Sequence, residues 1–446
     1  MSLAPPLPAG ERATLDAALT SIGVGPFQRR LLGIFGLVWA ADAMQVLAVG
    51  FTAPGIARAF GLTVPQALQT GTVFFLGMMV GAYGFGRLAD RVGRRTVLLV
   101  TVLLDAVFGL ASAAAPGWEW LLAFRFLTGL AVGGTLPVDY AMMAEFLPSH
   151  RRGRWLVGLE AFWAVGTLAL SLASYVASLY AGAESWRWVF VATATPALIG
   201  IVLRLWIPES PYYLAKLGRV DEARAVLDRV AAANDRPRFA GPISAEPQAP
   251  APFTALFAGP LKRPSLLLLA TWFLLSISYY GVFVWLPSRL AGTGYGFLRD
   301  QLFLVVVALA QLPGYALAAY GVERWGRRPT LIGFLALGAV ACLAYAALSG
   351  PVLIGGSTLL MSFALLGAWG ALYAFTPEMY PTSLRATGMG AAGAMARVGG
   401  LLAPSAIGLV VAVSFEAAVG LFAVLLALAA VATYAIDVET KGAPLA

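Results

Sequence analysis

The chain has 446 residues, 60% hydrophobic and only 12% charged, with a mean hydropathy of +0.80. A soluble domain carries about 25% charged residues, so this composition argues against a water-soluble enzyme, and apolar runs that are continuous rather than alternating argue against a β-barrel. The net charge of +8 invites a nucleic-acid reading until its distribution is seen; one Cys (Cys342) and one His (His150) exclude an intrachain disulfide and a His-cluster metal centre.

Residues 1–30 are polar and contain Pro, with no short apolar core before a cleavage site, so no cleaved signal peptide is expected. Apolar blocks such as Leu98–Ala115, Trp120–Val138, Leu266–Leu286 and Ala417–Ile436 then follow. Each is about as long as a bilayer-spanning helix, roughly 20 residues. Twelve helices are predicted, over 31–57, 68–88, 96–115, 118–143, 155–180, 186–207, 265–289, 301–321, 329–349, 353–376, 386–412 and 415–437. The longest polar stretch, 208–264, holds Pro208-Glu209-Ser210-Pro211, a helical pattern over Val220–Ala233 and a Pro/Ala-rich linker over 235–252. The expectation is an all-α membrane protein of two six-helix bundles, 31–207 and 265–437, joined by 208–264 and ending in a tail over 438–446.

The 30 Lys and Arg orient it. With the N-terminus inside, only Arg58, Arg187, Arg289 and Arg299 fall outside, and Arg125, Arg204 and Arg397 fall within helices. The high net charge is therefore a topology signal, and no nucleic-acid partner is needed. The halves also repeat. Asp90-Arg91-Val92-Gly93-Arg94-Arg95 matches Glu323-Arg324-Trp325-Gly326-Arg327-Arg328 at an offset of 233, which also pairs Trp39 with Trp272, Gly81 with Gly314, Glu145 with Glu378 and Arg152 with Arg385. Duplicated bundles with a site between them are the usual build of secondary transporters.

A charge at mid-bilayer costs roughly 2.5–3.5 kcal/mol on insertion scales, so each needs a partner or a watery cavity. Asp42 in helix 1 has Arg125 in helix 4 as its expected partner; the alternative is a fixed pair that only holds the two helices together. Arg397 in helix 11 can hold a carboxylate in a bidentate pair, or serve as a structural Arg beside Gly393, Gly399 and Gly400. Glu160 in helix 5 can accept from a pyridinium N–H, carry a proton, or pair with Arg154. Gln45 and Gln311 are polar enough to line a path. Tyr279, Tyr280, Phe283 and Trp285 in helix 7, Trp369 and Tyr373 in helix 10, and Phe162 and Trp163 in helix 5 can stack a flat ring or merely fill space. Tyr279, Tyr280 and Trp369 are the leading candidates.

The loop Gly86-Arg87-Leu88-Ala89-Asp90-Arg91-Val92-Gly93-Arg94-Arg95, the run Arg125-Phe126-Leu127-Thr128-Gly129, Pro208-Glu209-Ser210-Pro211 and Glu439-Thr440-Lys441-Gly442 resemble the sugar-porter branch of the major facilitator superfamily over nearly the whole chain. The aromatic helix 7, Trp272 to Pro287, is similar instead to organic ion transporters, the synaptic vesicle glycoprotein 2 family and bacterial niacin transporters. The resemblance implies alternating access, with Asp42 and Arg125 as a proton-sensing pair and Arg397 where organic anion transporters carry an Arg. It implies a gating network of Asp90, Arg91, Arg94, Glu145 and Arg152, repeated by Glu323, Arg327, Glu378 and Arg385, with Asp90 at the N-terminus of helix 11 and contacts made only in the outward-facing state. It makes Asp105, in a usually peripheral helix 3, structural and places Asp139 in a gate. The implied activity is proton-coupled symport of a small organic anion, nicotinate being the sharpest case. Sugar symport, uncoupled organic-ion transport and a non-transporting sensor are the alternatives. With no G-x-x-x-x-G-K-[ST] loop, ATP-driven pumping is not expected, no metal spacing or cofactor motif appears, and the proton is the expected coupling ion. A monomer in the inner (plasma) membrane with both termini cytoplasmic completes the expectation.

Overall fold

The computed structural model describes residues 13–244, 252–291, 301–411 and 414–441. Twelve long helical segments run through it: α1 (Pro26–Phe60), α2 (Gln69–Val92), α3 (Arg94–Ala113), α4 (Trp118–Glu145), α5 in two pieces (Ser149–Glu160 and Phe162–Tyr180), α6 (Ser185–Arg204), α7 (Lys262–Ala291), α8 in two pieces (Gln301–Leu309 and Gln311–Arg324), α9 (Arg327–Ala347), α10 (Pro351–Glu378), α11 (Thr382–Val411) and α12 (Phe415–Tyr434). Among the described residues, eleven helices are long and apolar enough to cross a membrane by themselves. The two tight turns α2–α3 and α8–α9 hinge on Gly93 (φ 100) and Gly326 (φ 111), backbone angles that only glycine adopts without strain.

The helices are not equally enclosed. In α1, α4, α7 and α10 the most apolar window is 83, 56, 72 and 61% buried, against 33 to 50% in the other seven, so every third helix is the most enclosed. Small residues set the closest crossings. A Cβ on Gly81 of α2 would stand 1.9 Å from the Leu130 carbonyl of α4, and one on Gly314 of α8 would stand 2.3 Å from the Phe363 carbonyl of α10. Both partners are related by the 233-residue offset, so the duplication extends to the packing.

The N-terminal segment and the inter-bundle loop lie at one end of the bundle, called proximal below. There the helix Leu15–Ile22 packs on Val220–Ala233, and Ala13–Thr14 pairs in parallel with Ile243–Ser244. Asn234 fastens this layer to α1: its Oδ1 accepts from Phe27 N at 3.0 Å and its Nδ2 donates to Gln28 Oε1 at 2.9 Å. At the opposite, distal end the two halves meet through α1 with α7, α2 with α11 and α5 with α8. The seam is tight there. A Cβ on Gly50 of α1 would fall 2.4 Å from the Val284 carbonyl of α7. The space left between Leu47, Phe51, Phe283 and Leu304 is about 10 Å³, room for one water at most.

Candidate functional site at the bundle interface

Two spans break near mid-membrane. α5 is interrupted at Ala161, directly after Glu160, and α8 at Ala310, directly before Gln311. In α8 the cause is Pro313, which cannot donate to the Leu309 carbonyl and crowds it. Interrupted helices at this depth are tolerated where they line a site.

Around these breaks, rings from both halves form a continuous wall. The Trp163 Nε1 donates to the Tyr279 hydroxyl at 2.8 Å, joining α5 to α7 across the interface. Tyr279 lies 5.1 Å from Tyr280, 4.9 Å from Phe283 and 6.0 Å from Trp369. Trp272 touches Trp369 at 5.3 Å and Tyr373 at 4.9 Å, and its Nε1 donates to Thr376 Oγ1. Tyr373 meets Tyr140 of α4 at 5.9 Å, and Tyr140 meets Trp39 of α1 at the same distance.

Two opposite charges face this wall from opposite halves. Arg397, partly buried, donates from Nη1 to Gly393 O on its own helix at 2.9 Å, while its Nε has no partner among the described residues. Tyr280, Tyr373 and Asp42 lie within its field. Glu160, 3% exposed, is flanked by Trp39 and Tyr373, and its Oε1 is unpartnered. Tyr140 Oη, Trp369 Nε1 and both amide atoms of Gln311 are likewise buried without partners among the described residues. Each such group left unpaired costs about 1–3 kcal/mol, so their concentration here marks a place where a polar solute would satisfy them.

The interior of the N-terminal half departs from the expected pairing. Asp42 and Arg125 are not a pair. Gln45, one turn along α1 from Asp42, takes the guanidinium instead: Arg125 Nη1 donates to Gln45 Oε1 and Nη2 to Gln45 O, both at 2.8 Å. Gln45 is therefore committed inside the bundle and does not line the path. Neither oxygen of Asp42 has a hydrogen-bond partner among the described residues. Asp105 is buried beside Gln45 and within the field of Arg125, at a place in the packing that fits a structural role. Asp139 forms a buried pair with Arg204 of α6, at 2.6 and 2.5 Å, that ties α4 to α6 rather than closing a gate. Sequence reasoning placed Arg204 in a helix and gave it no role, although an opposite charge at the matching end of a neighbouring span was the signal available. Phe162 is turned onto α1, where its ring covers Gly36.

At the proximal end, Arg94 meets Glu145 at 2.9 Å, and Arg327 meets Glu378 at 3.0 Å. Both pairs lie within one half and are present with the distal seam closed, whereas the expectation had such contacts only in the outward-facing state. Arg152 donates to Leu147 O, Glu323 is exposed and 3.6 Å from Arg327, and Arg91 contributes its carbonyl to the Tyr213 hydroxyl. The side chains of Asp90, Arg154 and Arg385 lie outside the described residues. Two acids had no role assigned from sequence. Glu209 accepts from Arg95 N at the start of α3, and Glu439 accepts from Arg327 N and Arg328 N at the start of α9, each placing an anion on a helix N-terminus.

A sugar (and other) transporter family model matches residues 61–446. The chain is 39% identical over 404 residues to the niacin transporter NiaP of Acinetobacter baylyi, covering 87% of this chain and 89% of that protein. It is 34% identical over 391 residues to the putative niacin/nicotinamide transporter NiaP of Bacillus subtilis, covering 87% and 90%, and 31% identical over 459 residues to the synaptic vesicle 2-related protein of Xenopus laevis, covering 98% and 82%. Its fold matches the proton:xylose symporter XylE bound to 6-bromo-6-deoxy-D-glucose with a TM-score of 0.76, at 18% identity and covering 94% of this chain and 98% of that one. It matches the partially occluded inward-open xylose transporter XylE from E. coli with a TM-score of 0.72, also at 18% identity, covering 94% and 100%.

Proposed function

The chain belongs to the sugar (and other) transporter family of the major facilitator superfamily, and from that membership and the site's geometry we propose that it carries a small aromatic carboxylate, nicotinate or a close analogue, in symport with protons. It is a multi-pass membrane transporter and not an enzyme. The niacin transporter named above shares most of its length with this chain, which supports the substrate class. The observation that carries the reading is Arg397, whose guanidinium lies in the field of Tyr280 and Tyr373 of the interfacial wall, with its Nε unpartnered among the described residues. A guanidinium fork matches a carboxylate in charge and shape, and the rings give a flat solute two faces to stack on, each contact worth about 0.5–1.5 kcal/mol. Glu160 on the opposite half is placed for a ring nitrogen, with one proton shared between acid and ring.

Proton coupling rests on the charges that the N-terminal half buries. Among the described residues these are four carboxylates, Asp42, Asp105, Asp139 and Glu160, against two guanidinium groups, Arg125 and Arg204. Buried charge must be paired or neutralised, so surplus carboxylates take up protons when the site shuts and release them when water re-enters. Asp42 stands nearest the exchange, since it has no partner of its own and feels Arg397 across the interface. A substrate carboxylate on Arg397 takes the counter-charge that Asp42 otherwise uses. That leaves protonation as the way to bury both acids together. The Lys/Arg distribution puts the proximal end and both termini in the cytoplasm of a plasma-membrane protein.

The test is uptake of labelled nicotinate by proteoliposomes under an imposed proton gradient, with nicotinamide as competitor. Arg397→Ala is expected to lower apparent affinity for nicotinate by at least tenfold and that for nicotinamide by much less. Equal losses for acid and amide would remove the carboxylate from the reading.

A further inference from the structure

Arg125 is held by a neutral residue. Gln45 supplies both of its hydrogen bonds, and the faces of Phe74 and Phe190, at 4.5 and 5.0 Å, take up the rest of its surroundings. The positive charge must be answered elsewhere, and Asp105 of α3 is placed to do it. Asp105 is 1% exposed, lies beside the Gln45 amide within the field of Arg125, and among the described residues forms no ion pair. The Gln45 amide points the same way. Its oxygen is on Arg125, and its unpartnered Nε2 rests against Gly109, one turn along α3 from Asp105, where a Cβ would stand 2.6 Å away.

We propose that Asp105 is the carboxylate whose protonation governs Arg125, and that Gln45 is the arm that passes this change to α1. When Asp105 is charged, the amide lies between a cation and an anion and binds α1, α3 and α4 together. When Asp105 is protonated, Gln45 keeps only its bond to Arg125, and α1 is released from α3 at the level of Asp42. The other charges that could answer Asp105 are few. From α4 it feels the charge of Arg125 and from α1 that of Asp42. From α6 this level offers Phe190 and Ala194, Arg204 being committed to Asp139. The charges of α2, Arg87, Asp90 and Arg91, sit in its proximal turns. This inference rests on proton coupling and adds to Asp42 a second proton-linked carboxylate, on α3, that acts through Arg125. Asp105 acts through Arg125 and Gln45 and is a positioning residue that does not touch substrate.

The experiment compares wild type, Asp105→Asn, Asp105→Glu and the double variant Gln45→Asp/Asp105→Asn, purified and reconstituted. One readout needs no substrate: the unfolding temperature followed against pH. Asp105→Asn is expected to remove one proton-linked step from that profile, Asp105→Glu to keep it, and the double variant to restore it, because Gln45→Asp puts a carboxylate directly on Arg125. The second readout is labelled nicotinate. Asp105→Asn is expected to exchange external for internal label yet lose accumulation driven by a proton gradient, and the double variant to regain it. A wild-type pH profile with full accumulation in Asp105→Asn overturns the proposal, as does a folded double variant that stays uncoupled. If wild type itself carries no nicotinate, the substrate reading fails, and the pH profiles still decide on Asp105.

Discussion

At the scale of single residues, the site is a division of labour between two halves: a guanidinium on α11 and a carboxylate on α5. Glu160 ends a broken helix and keeps Oε1 unpartnered among the described residues, so under the proposed reading it is the group that tells a pyridine ring from a benzene ring. Glu160→Gln is expected to weaken competition by nicotinate about tenfold, a hydrogen bond to a charged group being worth about 1.5–3 kcal/mol, and to leave benzoate, which lacks the ring nitrogen, within about twofold. Equal effects on the two acids, measured as inhibition constants for the same labelled substrate, would reduce Glu160 to a packing role. The intramembrane charges were legible in the sequence because a charge in an apolar run stands out whatever the fold. Their partners were not. Asp42 and Gln45 are three residues apart, and only the rotation of α1 about its axis decides which of them reaches Arg125. Apolar blocks this continuous carry little amphipathic signal from which to read that rotation.

Among the elements, the helices themselves were the most legible feature, since each is an apolar run bounded by polar turns. The break in α8 was readable in Pro313, but α5 breaks at Ala161 with no Pro nearby. Close crossings are where a single methyl group matters. Gly81 and Gly84 sit on the same helix, yet a Cβ at Gly81 would lie 1.9 Å from a backbone carbonyl while one at Gly84 meets nothing within 4 Å. Gly81→Ala must push α2 from α4, and a backbone atom cannot turn aside as a side chain does. Overpacking of this kind costs about 1–3 kcal/mol. The unfolding temperature of detergent-purified Gly81→Ala is expected to fall, and that of Gly84→Ala to hold. Similar temperatures for the two would mean that the α2–α4 contact does not set the stability of the half. The same contrast extends to Gly314→Ala, at the equivalent crossing of α8 with α10.

In the whole molecule, the 233-residue repeat gives two bundles that share one central wall, and transport requires them to tilt about it. The ion pairs Arg94–Glu145 and Arg327–Glu378 lie inside single bundles, so they stiffen each rocking body and the moving joint must be elsewhere. The distal seam is such a joint, and Gly50 is where two backbones meet in it: α1 approaches α7 so closely that the Val284 carbonyl occupies the place of a Cβ. A large side chain at that position cannot coexist with the closed seam, whereas an open seam moves Val284 away and has room for it. Gly50→Trp is therefore expected to hold the distal end open, to bind nicotinate, and to stop net uptake. The state can be read directly. Leu304, 6% exposed at the seam, becomes a reporter as Leu304→Cys in a Cys342→Ser background. Its reaction with a membrane-impermeant maleimide should be slow with Gly50 in place and rise by at least tenfold with Gly50→Trp. Should Gly50→Trp carry substrate at the wild-type rate with Leu304→Cys still protected, the halves would have to exchange access without opening this seam, and rocking about the aromatic wall would be the wrong motion.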